Sequence, residues 1–122
     1  MQNRHLSYVL LVCRPAFWIC VGALLYLSLV PGTMRPHTGA SGHVEHFLAY
    51  AGTGLLFSPA RSPMQWLAGA IGLSWLSGGL EIAQLWIPGR TGEMAGFVWS
   101  SAGAWLGLFL GKAGWQALLP KP

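Results

Sequence analysis

Six residues carry most of the chemistry this sequence can offer: His43, His46, Tyr50, Glu81, Gln84 and Arg90. His43, His46, Tyr50 and Thr53 are spaced three, four and three apart, so a helix puts them on one face. Glu81 and Gln84 share a helical face in the same way with Ser74, Ser77 and Gly78. A carboxylic acid held beside an imidazole can act as an acid–base pair. The planar fork of Arg90 suits an anionic head group such as a phosphate. His43 and His46 also have a usable metal spacing, with Glu81 as a third candidate ligand and His37 nearby. No His-Glu-x-x-His run accompanies them, so no metal is expected, and nothing implies a cofactor. No Gly-x-Ser-x-Gly elbow is present, and no residue is assigned a catalytic role.

The rest of the chain sets the solvent in which those groups must work. Of 122 residues, 53% are hydrophobic and only 8% are charged, against roughly a quarter charged in an ordinary soluble domain. So few charges cannot coat a small globule, whose surface is large for its volume. The mean hydropathy of +0.49 points the same way. A soluble enzyme and a disordered chain are both disfavoured, and the length allows one domain, 1–122. The net charge of +4 comes from seven Lys/Arg set against three acids. These cations are scattered from Arg4 to Lys121 without forming a patch, so no nucleic-acid partner is expected. Cys13 and Cys20 are about 10 Å apart along a helix, too far to bridge each other, and read as small hydrophobes.

Four apolar segments stand out, at about 16–31, 43–58, 64–87 and 94–119, each ended at or near a proline: Pro31, Pro59, Pro88 and Pro120. The weaker run 6–13 could extend the first. A spanning helix needs about 20 residues; the last two segments have that length and the first two are short. The N-terminal segment lacks an Ala-x-Ala-like cleavage site and reads as a retained span. With four spans, one side holds Arg4, Arg14, Arg61, Lys112 and Lys121, and the other only Arg35 and Arg90. That asymmetry puts both termini in the cytoplasm. Trp66 and Trp86 bracket the third segment and read as interfacial anchors.

On the fourth segment Gly96, Ser100, Gly103, Gly107 and Gly111 form a small-residue stripe, which lets membrane helices approach closely. Three segments thus have faces that seek protein, and an all-α, membrane-embedded four-helix bundle is the expected fold. The stripe reads as packing within one chain, although an oligomer stays open. The topology gathers His43, Glu45, His46, Glu81, Gln84 and Arg90 at the outer side. Glu81 lies beneath the interface, where an unpaired carboxylate costs several kcal/mol. Its expected partners are His46, Gln84 and Arg90, with the Gly-rich stretch 31–42 as a lid.

The quoted residues resemble the VanZ-like family of small bacterial membrane proteins. His46-Phe47-Leu48-Ala49-Tyr50 is similar to the family's His-Phe-x-x-Tyr, Glu81-Ile82-Ala83-Gln84 to its Glu-x-x-Gln, and Pro88-Gly89-Arg90-Thr91-Gly92 to its Pro-Gly-Arg-x-Gly. Gly103 and Gly107 fall where the family has a Gly-rich helix, and the match covers residues 16–111. The resemblance implies a multi-pass protein of the bacterial cytoplasmic membrane, with His46, Tyr50, Glu81, Gln84 and Arg90 as the shared polar set. It also implies a link to low-level teicoplanin resistance, and carries over no enzymatic activity. Four positions depart from the pattern. Gly42 and His43 stand where the family has Asp-Lys, and Gly96 and Ser100 where it has Asp and Asn. The expected role is non-catalytic: an outward-facing polar pocket for a lipid or a lipophilic, glycopeptide-type ligand. The alternatives are an intramembrane enzyme acting on an envelope lipid through a Glu81/His46 pair, and a small oligomeric drug transporter.

Overall fold

The computed structural model describes residues 2–122. Among them the regular elements are all helical: α1 (Gln2–Leu29), a 3-10 turn (Gly32–Met34), α2 (Gly42–Phe57), α3 (Pro63–Gln84) and α4 (Met94–Leu118). Local chemistry sets the starts of α2 and α3. The Ser41 hydroxyl accepts the Val44 N–H at the start of α2. Ser62 and Gln65 form a reciprocal capping box around Pro63 at the start of α3.

Two boundaries differ from the sequence expectation. α1 does not begin after Pro15 but runs through it from Gln2. A proline removes one backbone hydrogen bond and can be absorbed by a bend, and the apolar run 6–13 continues the helix on its far side. α3 stops at Gln84 rather than near 87. The N–H groups of Leu85, Trp86 and Ile87 turn to the carbonyls of Ile82, Ala83 and Gln84, three residues back, which tightens the chain before Pro88.

α2 and α4 make the most extensive helix pair, and the small-residue stripe explains why. Gly103, Gly107 and Gly111 sit against the carbonyls of Phe47, Ala51 and Leu55, one turn apart on α2. Gly54 of α2 answers them, lying on Ala104 and Leu108 of α4. The stripe is therefore used within the chain. Phe17, Leu24, Tyr50, Leu73 and Ala104 form one apolar cluster. Trp66, Ala70 and Leu108 form a second. Trp66 is not the exposed side chain an anchor would present: it is buried against protein, with Nε1–H donating to the Leu108 carbonyl at 3.0 Å. Trp86 lies beyond α3 and is exposed. Trp105 donates to the Ser74 hydroxyl at 3.2 Å, so a polar face of α3 finds protein, not solvent.

The exterior is apolar and the interior partly polar. Trp18, Ile19, Leu48, Trp75, Ile82 and Phe109 are exposed, whereas Thr53, Ser77, Gln84 and Ser100 are almost fully buried. Two helical stretches, Asn3–Leu29 and Met94–Leu118, are long and apolar enough to cross a membrane. α2 has only 16 residues. α3 has 22 residues, but Gly69, Gly72, Ser74, Ser77 and Glu81 dilute its apolar content.

Candidate functional site

The segments 30–41 and 85–93 meet at one end of the bundle, and a tight turn organises them. The Arg90 N–H donates to the Ile87 carbonyl at 3.2 Å, with Pro88 second and Gly89 third at φ +74°. That is the pattern of a type II turn, in which the third position needs a left-handed residue. The Gly32 N–H donates to the Pro88 carbonyl at 2.9 Å, and a side chain on Gly32 would run into Gly89. The turn is thereby pressed against the end of α1.

This placement decides what Gln84 and Arg90 do. The last carbonyls of a helix have no intrahelical donors, and that end carries partial negative charge. Gln84 Nε2 donates to the Ser28 carbonyl at 3.1 Å. Arg90 Nε donates to the Val30 carbonyl at 2.9 Å, and Nη2 to Leu27. Burial, and then the like charge of Arg35, lower the Arg90 guanidinium from its ordinary value, and it stays protonated at neutral pH. Both side chains cap α1. Neither bonds Glu81, which corrects the expected pairing: the unsatisfied carbonyls of α1 are nearer claimants.

Glu81 finds other partners. Its Oε2 accepts the backbone N–H of Glu93, the N-cap residue of α4, at 3.0 Å. Its carboxylate lies over the first turn of α4, where Gly96 leaves it room. The positive end of a helix dipole is a favourable place for a carboxylate. Its other oxygen, Oε1, is 3.6 Å from His46 Nδ1. That ring nitrogen is buried and makes no hydrogen bond. The pair is therefore the one expected contact of Glu81 that forms. His43 turns elsewhere: its Nε2 is 3.5 Å from Glu93 Oε1, and its ring stacks on Trp99 with centroids 6.1 Å apart.

A cleft of about 220 Å³ opens among these groups. His43, His46, Glu81, Gln84 and Arg90 all line it, together with Arg35, His37 and Glu93. Tyr50 does not. It lies deeper, buried in the apolar cluster, and borders an adjoining groove between α1 and α2. Gly42, His43 and Gly96 also line the cleft. Ser100 is one turn further along α4 and buried.

Two contributors were not assigned from the sequence. Arg35 enters there only as an orientation charge, yet it forms an ion pair with Glu45 at the rim. Glu45 also accepts from Thr38, at 2.7 Å from the hydroxyl and 3.2 Å from the backbone N–H, which folds the 3-10 turn and its exit over the start of α2. Glu93 contributes its backbone N–H to Glu81 and its carboxylate to His43. The missed signal is compositional: the only three acids in the chain, Glu45, Glu81 and Glu93, all end up here.

Chemically, the site presents an imidazole 3.6 Å from a carboxylate, close but not hydrogen-bonded, and two guanidinium groups at the rim. It can accept and donate hydrogen bonds to a polar group inserted from the loop end. Comparison with protein-family models, curated proteins and solved structures gives no match.

Proposed function

We propose that this chain is a VanZ-like, four-span protein of the bacterial cytoplasmic membrane that binds a lipid or a lipophilic, glycopeptide-type ligand without turning it over. The observation that carries the ligand-binding reading is the His46–Glu81 pair, a half-buried imidazole 3.6 Å from a buried carboxylate, on the wall of an open cleft. An ionisable pair held there has a desolvation cost that packing alone does not require.

The inside-out distribution of side chains supports the membrane reading: exposed Trp18, Trp75 and Phe109 against buried Thr53, Ser77 and Ser100. A soluble surface rarely carries apolar patches of such extent. α1 is 28 residues long, about 42 Å at 1.5 Å per residue, longer than the ~30 Å hydrocarbon core. Measured from Leu29, the apolar depth is used up near residue 10. Arg4 then lies in the cytoplasmic head-group zone with both termini, and Arg14 reaches it by extending its side chain. Arg61 and Lys112 stay near that side by covering the Phe57 and Trp66 rings.

The test compares cells expressing the wild-type protein with cells expressing a His46→Ala, Glu81→Gln double variant at equal membrane abundance. Challenge with teicoplanin should show protection only with the wild type. Equal protection at equal abundance rejects the reading. Reporter fusions at the two ends check the orientation. The same pair would serve an acid–base enzyme on an envelope lipid; turnover by the purified wild type that the double variant loses would select that reading instead.

A further inference from the structure

Two apolar grooves flank the polar cleft, and the charges divide between them. A groove of about 340 Å³ beside α3 and the start of α4 has Glu81 and Glu93 on its wall. A groove of about 400 Å³ lies between the last turns of α1, at Leu24 and Leu27, and the first turns of α2, at Leu48 and Ala49. Arg35, His46 and Arg90 line both this second groove and the polar cleft, so the two spaces adjoin. Glu45 borders the groove as well; it and Arg35 offset each other's charge, which leaves Arg90 as the cation of this wall without an acidic partner, while Arg35 still offers N–H donors. The cations are only partly engaged. Arg90 uses Nε and Nη2 on α1, and Arg35 uses Nη2 on Glu45. Each guanidinium has five N–H donors, and among the described residues Nη1 of both has no hydrogen-bond partner.

We infer that the α1–α2 groove and the Arg35/Arg90 pair form one site for an anionic amphiphile with a phosphate-type head and an alkyl chain. The head sits between the two guanidinium groups, whose forks match phosphate oxygens, with His46 behind them. The chain runs down the groove toward Tyr50, which lies eight residues, or ~12 Å, along α2 from Gly42. The polar cleft alone is smaller than the ~300 Å³ at which ligand pockets begin, and the groove brings the joint space well into that range. The opposite groove, with two carboxylates and no cation on its wall, disfavours an anion. This inference rests on the ligand-binding reading above and names the chemistry of the ligand.

The experiment titrates the full chain in neutral maltoside micelles with dodecyl phosphate, read by calorimetry. Inorganic phosphate and dodecyltrimethylammonium are the comparison arms. Dodecyl phosphate should bind at least tenfold more tightly than either. Ala49→Trp fills the groove from an exposed position and should weaken dodecyl phosphate at least tenfold. Arg35→Gln, with folding checked by circular dichroism, should weaken it by a similar factor. Equal binding of dodecyl phosphate and inorganic phosphate would mean a free-anion site and overturn the role of the groove. Undiminished binding by Ala49→Trp would do the same. Silence of dodecyl phosphate alongside dodecyltrimethylammonium binding that Glu81→Gln abolishes would overturn the inference while leaving the wider ligand-binding reading standing. Silence of both amphiphiles would overturn the inference, and the resistance comparison then decides the wider reading separately.

Discussion

Replacing Gly107 with Ala tests the central packing claim, that α4 lies on α2 at backbone distance. A Cβ built on Gly107 falls on the Ala51 carbonyl group, with its carbon 2.6 Å and the Ala51 Cα 2.8 Å away. These are backbone atoms, so no rotamer change relieves the clash, and α4 must move off α2. Overpacking of this kind costs about 1–3 kcal/mol, and an immovable neighbour puts the cost at the upper end. The intrinsic helix preference of Ala over Gly returns about 1 kcal/mol. The net expectation is a loss of about 2 kcal/mol, or a Tm lower by ~10 °C for a chain of this size. Gly114→Ala is the internal control. Nothing lies within 4 Å of its Cβ position, so only the helix preference acts and Tm should rise slightly. Thermal unfolding of both variants in detergent micelles, followed by far-ultraviolet circular dichroism, measures the difference. If Gly107→Ala matches Gly114→Ala, the close approach of the two helices is wrong.

Gly96→Ala should behave differently, because its Cβ meets the movable Glu81 carboxylate rather than backbone: stability within ~1 kcal/mol of wild type, but teicoplanin protection lost as in Glu81→Ala at matched abundance. Gln84→Leu removes the donor to the Ser28 carbonyl and should cost about 1–2 kcal/mol locally, read as faster hydrogen exchange at the Leu29 and Val30 amides with the first turns of α1 unchanged. Ser58→Ala deletes a buried hydroxyl that donates to the Leu108 carbonyl at 2.6 Å; since Trp66 Nε1 still serves that oxygen, the loss should be only about 1 kcal/mol in the same thermal assay.

Which faces turn inward was legible in the sequence. Thr53 and Tyr50 on α2, Ser77, Glu81 and Gln84 on α3, and the whole stripe from Gly96 to Gly111 on α4 are buried. They share faces because helical periodicity is a local property and the polar or small residue types repeat at it. The prolines and serines that end and begin helices are equally local signals. The gathering of polar residues from α2, α3 and the 88–92 turn at one end followed from counting segments.

Which side chain meets which was decided by the tertiary structure. Arg90 and Gln84 bond α1 because the Pro88-Gly89 turn presses against its open carbonyls, and such a meeting has no periodic signature. The backbone N–H that holds Glu81 belongs to Glu93, and every residue has one, so no residue type announces it. Trp66 looks like an anchor until Leu108 and Trp105 close over it. Arg35 joins the cleft wall only once the 31–41 segment folds onto Glu45. Periodicity settles which face of a helix is buried; the partners across that face depend on contacts between residues far apart in the chain, which exist only after the helices have docked.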